Sequence, residues 1–231
     1  MSEPRLQDLA ARVRSLEAVL FDLDGTLIDT VALILDSFRY TTRIVFGEAL
    51  PDEELMAGVG KPLIRQMTEF APDRAEELVR VYREYNAARH DEMVAEYPGT
   101  EAVLAHIDAL GLPMAVVTSK GVPMTLRGIR RFGLERYFRV VVTADDVPLH
   151  KPDPYPLRHA AELLGLDIER CAYVGDSPHD MEAARAAGCV AIAALWGAFP
   201  THAVLAPGPE LAIEHIGDLP ALLADPAPFA L

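Results

Sequence analysis

Five short apolar runs set the frame of this 231-residue chain. Ala18–Phe21, Met114–Val117, Val140–Val142, Ala172–Val174 and Val190–Leu195 are brief and uniformly apolar, which is the pattern of strands buried on both faces of a parallel sheet. Segments at helical spacing, around 100–110, 122–132, 153–164 and 179–187, alternate with them. Strand and helix in alternation predict βαβ units, so the expected class is α/β, a Rossmann-like doubly wound parallel sheet with helices on both faces.

One interval breaks the alternation. From Val31 to Tyr97 there is no buried strand, while Val31, Ile34, Leu35, Phe38, Thr42 and Val45 follow an i, i+3, i+4, i+7 stripe. Leu78, Val81, Tyr82 and Tyr85 do the same, and Pro51, Pro62 and Pro72 each stand at a plausible helix start. The expected organisation is an N-terminal helical extension over 1–17, an α/β core over 18–30 and 98–231, and an all-helical cap inserted at 31–97. Tyr97–Pro98–Gly99 reads as the return linker. The extension carries Leu6, Leu9, Val13 and Leu16 on one stripe, which needs a single partner surface and so predicts a cover for the sheet edge.

Composition narrows the function. With 35 acidic and 21 basic residues the formal charge is −14, a field that repels nucleic-acid backbones and anionic membranes. A local pocket can still hold a phosphate where a metal and lysines dominate. Two cysteines, Cys171 and Cys189, form no zinc or disulfide pattern and read as buried thiols of a reducing compartment. No apolar stretch reaches membrane-spanning length and residues 1–17 have no signal-peptide centre, so a cytoplasmic protein, monomer or homodimer, is expected.

In open parallel sheets ligands bind beyond the carboxyl ends of the strands. The first strand ends there in Asp22–Leu23–Asp24–Gly25–Thr26, and i, i+2 spacing aims Asp22 and Asp24 the same way. Two such carboxylates repel unless a cation or a proton sits between them. Asp176, in Gly175–Asp176–Ser177–Pro178–His179–Asp180, adds a third acid from another strand end. Oxygen donors of this kind suit Mg²⁺. Ser177, Pro178 and Asp180 also read as the N-cap, first position and N3 of a helix, so Asp180 has an ordinary capping role as an alternative. Thr118 and Ser119 offer hydroxyls and backbone N–H groups for an anionic oxygen, or ordinary helix caps. Lys151 stands before Pro152 and Pro154 in a stiffened turn. An aspartate can attack a phosphate dianion if positive charge screens its approach, and a metal with Lys151 would supply it. A second acid two residues on can protonate the leaving oxygen and later activate water.

These motifs, in order, resemble those of the haloacid dehalogenase superfamily: Asp22–Leu23–Asp24–Gly25–Thr26–Leu27–Ile28–Asp29–Thr30, then Thr118 or Ser119, Lys151, and Gly175 to Asp180. The resemblance implies Asp22 as nucleophile and Asp24 as general acid/base, with Mg²⁺ held by Asp22, the backbone carbonyl of Asp24, and Asp176. It implies phosphate binding by Gly25, Thr118, Ser119 and Lys151, and support from Asp180 and Ser177. Haloalkanoic acid dehalogenases lack an acid at the position of Asp24, so its presence implies phosphoryl transfer. The helical insert resembles the smaller cap of the superfamily, and Gly58–Val59–Gly60–Lys61–Pro62–Leu63 is similar to the specificity loop of phosphoglycolate phosphatase-like enzymes. Tyr82–Asn86, His90–Val94, Val142–Val147 and Lys151–Pro154 are closer to bacterial inorganic pyrophosphatases. Gly60, Lys61 and Arg65 are the cap candidates for a substrate's non-reacting anionic end.

The expected function is thus an Mg²⁺-dependent phosphohydrolase acting on a small phosphorylated metabolite, phosphoglycolate-like or pyrophosphate, through an aspartyl-phosphate. A phosphomutase of the β-phosphoglucomutase type would share every motif and return the phosphoryl group to a sugar. A receiver-type signalling module also clusters acids, a hydroxyl and a lysine, but it is about half as long, without a helical insert or a second acid. A silent binding protein would be expected to have lost a motif member.

Overall fold

The computed structural model describes residues 3–231; Met1 and Ser2 of the expected N-terminal extension lie outside the described residues. Six parallel strands form the central sheet: β1 (Ala18–Phe21), β4 (Met114–Val117), β5 (Phe138–Val142), β6 (Cys171–Gly175), β7 (Val190–Ala194) and β8 (Leu211–Ile213), in the order β5-β4-β1-β6-β7-β8. β1 is central, with Phe21 level with Val116 on one side and Val174 on the other. All four residues of β1 are buried, which is why its sequence shows no alternation.

Alternate residues of the strands enter different cores. Val19, Phe21, Val116 and Val174 face one side, with α1 (Glu3–Arg14), α6 (Thr100–Ala109), α7 (Val122–Arg131) and α11 (Leu219–Ala224). Leu20, Val117 and Tyr173 face the other, with α8 (Tyr155–Leu164), α9 (Pro178–Ala187) and α10 (Thr201–Leu205). Leu9 and Val13 of α1 are buried in the same cluster as Leu211, Ile213, Leu219 and Leu222, beside the edge strand β8. Arg12 fixes the helix there, donating to Glu210 at 3.1 Å and to the Gly188 carbonyl at 3.2 Å.

The segment between β1 and α6 has its own apolar cluster. It contains α2 (Val31–Phe46), α3 (Asp52–Met56), α4 (Leu63–Phe70) and α5 (Ala75–Met93), packed around Phe38, Leu55, Met67, Leu78 and Tyr82. Pro51 and Pro62 each immediately precede a helix. The buried face of α2 differs in part from the stripe read off the sequence: Phe38, Thr42 and Val45 are buried as expected, Ser37 and Thr41 are buried as well, and Val31, Ile34 and Leu35 are only partly so. The three hydroxyls donate to carbonyls four residues back at 2.6 to 2.9 Å, so small polar residues can pack inward without an unpaired group. Two further elements escaped the sequence reading. β2 (Ile28–Asp29) and β3 (Ala95–Glu96) pair antiparallel where the chain leaves and re-enters the sheet region, and at two residues each they carry no periodicity. β8, three residues long, is equally silent.

Candidate functional site

The carboxyl ends of β1, β4 and β6, with the loop after β5, bring the expected residues together. Asp22 follows β1 directly, and its N–H donates to the Val174 carbonyl at 2.9 Å, so the sheet ladder fixes the backbone under the side chain. Its Oδ1 accepts from Lys151 Nζ at 2.9 Å. The same ammonium donates to Asp180 Oδ1 at 2.6 Å and lies 2.9 Å from the Tyr173 hydroxyl. Lys151 and Asp180 are buried completely or nearly so. Burial alone pulls Lys151 down, but Asp180 and Asp22 outweigh it and hold the ammonium above its ordinary value. Asp180 moves the other way: burial opposes its charge, yet Lys151 and Ser177 keep the carboxylate below the usual range.

Asp180 is consumed by these partners. Its Oδ1 takes Lys151 and Tyr173, and its Oδ2 takes the Ser177 N–H at 3.0 Å and the Ser177 hydroxyl at 2.6 Å. Ser177 Oγ in turn accepts from the Asp180 N–H, completing a capping box at the start of α9. Capping and support of the site are therefore one structure, and the two readings of Asp180 merge.

Asp22, Asp176 and Asp180 offer carboxylate oxygens within 4.8 Å of one another. Asp176 Oδ1 accepts from Thr26 Oγ1 at 3.0 Å and Oδ2 from the Ala198 N–H at 2.9 Å. The backbone must come close to do this. A Cβ on Gly197, or on Gly25 at φ +81°, would overlap the Asp176 carboxylate. Burial and the facing Asp180 and Asp22 charges push Asp176 well above the usual carboxylate range. Asp22 is raised to about 7, chiefly by burial, with Lys151 opposing. Three buried acids around one lysine leave uncompensated negative charge among all-oxygen donors, and a small hard divalent cation fits that charge and donor set. Asp180 shares its two oxygens among four donor contacts, whereas each Asp176 oxygen accepts one bond, so Asp22 and Asp176 are the side chains with acceptor capacity left for such an ion. This divides the labour among the converging acids.

The Asp24 carboxylate is elsewhere engaged: its Oδ1 accepts from Lys120 Nζ at 2.5 Å, with both side chains mostly buried. Thr118 is buried at the end of β4; its N–H is taken by the Val142 carbonyl at 2.9 Å, and its Oγ1 accepts from the Lys120 N–H at 3.2 Å. The free backbone N–H groups expected of this turn are thus partly committed. The Ser119 hydroxyl, in contrast, is buried with no partner among the described residues, a donor waiting for an acceptor.

Three contributors were not singled out in the sequence. Lys120 was visible only as the neighbour of two hydroxyl residues. Tyr173 sits inside an apolar strand, where a phenol signals a buried partner; its hydroxyl lies 3.0 Å from the Val117 carbonyl as well as from Asp180 Oδ1, two acceptors sharing its one proton. The loop after β7 carries no charged residue, yet it supplies the Ala198 N–H to Asp176 and the Trp196 indole to the Thr26 carbonyl at 3.1 Å.

The helices of the insert roof this floor and enclose a cavity of about 560 Å³ that reaches Asp22, Asp24, Lys151 and Asp176. Gly60 and Lys61 line it; Arg65 is exposed and is not part of its wall. Lys61 Nζ is held by both oxygens of Glu69 at 2.8 and 2.9 Å. Across the roof-to-floor junction, Arg127 of α7 grips Asp91 with two bonds and the Ala87 carbonyl at 2.7 Å.

The sequence model of the haloacid dehalogenase-like hydrolases matches residues 19–194, a span holding every strand-end residue described above. The chain belongs to this family. It is 39% identical over 202 residues to a protein of Caldanaerobacter subterraneus subsp. tengcongensis provisionally named pyrophosphatase PpaX, covering 87% of this chain and 92% of that one. It is 33% identical over 209 residues to Bacillus pumilus pyrophosphatase PpaX, covering 90% and 97%. A crystal structure from Lactobacillus plantarum, provisionally described as a phosphoglycolate phosphatase, superposes with a TM-score of 0.81 at 24% identity over 90% of this chain and 99% of that one, a likeness of fold. Among the described residues no helix is long and apolar enough to cross a membrane.

Proposed function

We propose that this chain is a phosphohydrolase that passes a phosphoryl group from a small phosphorylated substrate to Asp22 and then to water. The observation that carries the reading is the Asp22 carboxylate, fixed at the end of β1 by Lys151 and facing the cavity beside Asp24 and Asp176. In the first step an Asp22 oxygen bonds to phosphorus and the bond to the leaving oxygen breaks, its electron pair departing with that oxygen. In the second, water bonds to the same phosphorus, Asp24 takes its proton, and the bond to Asp22 breaks to release orthophosphate. Lys120 holds the Asp24 carboxylate for this task, and Lys151 keeps Asp22 oriented. Asp22, Asp176 and the Asp24 carbonyl would hold Mg²⁺, which when bound neutralises phosphoryl charge and screens the anionic approach. The Ser119 hydroxyl and Thr118 would donate to the phosphoryl oxygens. The helical insert acts as the cap that excludes water and selects substrate.

Pyrophosphate is the favoured substrate, supported by the activity named for the two sequence relatives described above and by the resemblance of the cap segments to such enzymes. A second reading, a phosphate monoester such as 2-phosphoglycolate, is favoured by the cavity itself. At about 560 Å³, with Phe38, Leu63 and Met124 in its wall, it exceeds the needs of a purely polar ion. Phosphate release with Mg²⁺ from pyrophosphate, 2-phosphoglycolate, sugar phosphates and an aryl phosphate tests both. A kcat/KM advantage of ~100-fold, about 2.7 kcal/mol, selects the class. Release from none of them overturns the phosphohydrolase reading.

A further inference from the structure

Four cationic side chains line the cavity: Lys61, Arg83, Lys120 and Lys151. Three already hold acids, with Lys61 on Glu69, Lys120 on Asp24, and Lys151 on Asp22 and Asp180. Among the described residues Arg83 has no acid within ion-pair distance, although its neighbours on α5 do: Arg80 pairs with Glu84 and Arg89 with Glu92. Among the described residues other arginines, such as Arg43 and Arg139, also lack an acid within ion-pair distance; what sets Arg83 apart from them is its place on the cavity wall.

Its placement is directional. Arg83, Asn86 and Ala87 are three and four residues apart on α5 and line the same cavity, so one helix face is turned toward it. Tyr82, the preceding residue, feels the Asp24 charge, which raises its phenol after burial does, so α5 passes over the reacting end of the site. A guanidinium presents a planar fork of donors that matches a phosphate or carboxylate with two parallel bonds, whereas an ammonium offers a point charge.

We infer that Arg83 is the specificity-determining cation of the cap, receiving the second anionic group of a substrate whose first phosphoryl group reacts at Asp22. The ligand class is a small molecule with two anionic ends, a diphosphate or a phosphorylated carboxylate. This assignment rests on the phosphohydrolase reading, and it replaces Lys61, whose charge is already committed to Glu69, and Arg65, which lies off the cavity wall.

The test compares wild type, Arg83→Gln, Arg83→Lys and Lys61→Ala on pyrophosphate, 2-phosphoglycolate and an aryl phosphate with a neutral ring, all with Mg²⁺. The reported quantity is the ratio of kcat/KM for a two-ended substrate to kcat/KM for the aryl phosphate. Wild type is expected to prefer a two-ended substrate, and Arg83→Gln to lower the ratio at least ~10-fold, about 1.4 kcal/mol, mainly through KM. Arg83→Lys should restore part of the ratio, and Lys61→Ala should move it less than about 2-fold. Thermal melting of each variant separates binding from folding, since a merely structural role would lower activity on all substrates alike. A wild-type enzyme without preference, an unchanged ratio in Arg83→Gln, or a loss carried by Lys61→Ala overturns the assignment while leaving the hydrolase reading intact. A wild-type enzyme that releases phosphate from none of the three overturns both.

Discussion

The floor and the roof of the cavity are built on opposite principles. On the floor, Asp22, Lys151, Tyr173, Ser177 and Asp180 form one buried network in which each polar group has partners and the strand ends set the geometry. On the roof, charges meet as isolated pairs at the surface: Lys61 with Glu69, Arg80 with Glu84, Arg89 with Glu92. A buried network fails when the member removed leaves a buried charge without a counter-charge, because that charge cannot reach water. Exposed pairs contribute little and can be exchanged cheaply. On the proposed reading, chemistry that must stay fixed is placed where substitution is costly, and substrate choice where it is cheap.

The contrast sharpens at Asp22. Asp22→Asn leaves a side chain of equal size that cannot attack phosphorus, so phosphate release should fall at least ~10⁴-fold while the melting temperature stays near wild type or rises, because a buried charge is removed. Chelation comes next. Removing divalent ions should abolish turnover, with Mg²⁺ restoring it, and unchanged circular dichroism would show that the fold does not depend on the ion. Activity that survives chelation breaks the metal assignment.

Stability distinguishes the regions further. Lys151→Met strips Asp22 and Asp180 of the buried cation that pairs with both and should cost about 3–5 kcal/mol in urea unfolding. Tyr173→Phe removes a hydroxyl from the same network and should cost about 1–3 kcal/mol. Glu69→Gln, which removes the acid facing Lys61 on the roof, should change stability by less than about 1 kcal/mol. Equal costs on floor and roof would break the comparison.

The same difference explains what the sequence made legible. Ala18–Phe21 and Cys171–Gly175 are buried on both faces, so the central strands stand out as apolar runs, and a chain leaving such a strand has few directions in which to point Asp22 or Asp176. β2, β3 and β8 are two or three residues long and are set by tertiary pairing alone. The site was legible where a strand end carries the residue and opaque where a partner comes from afar. Asp24 and Lys120 are 96 residues apart, and Thr26 and Asp176 150. Ala198 contributes only a backbone N–H, which no residue type betrays. On the roof, Lys61 has the residue type for anion binding but loses its charge to Glu69 eight positions on, a pairing that depends on how α4 and the preceding loop are folded.

The central claim, that Asp22 carries the phosphoryl group, is tested most directly by trapping it. Asp24→Asn, mixed with Mg²⁺ and the preferred substrate and quenched in acid, should show by peptide mass spectrometry one added phosphoryl group on the peptide containing Asp22. Asp22→Asn under the same conditions should show none. Rapid turnover with no adduct on that peptide, or a phosphoryl group on any other residue, would contradict the assignment.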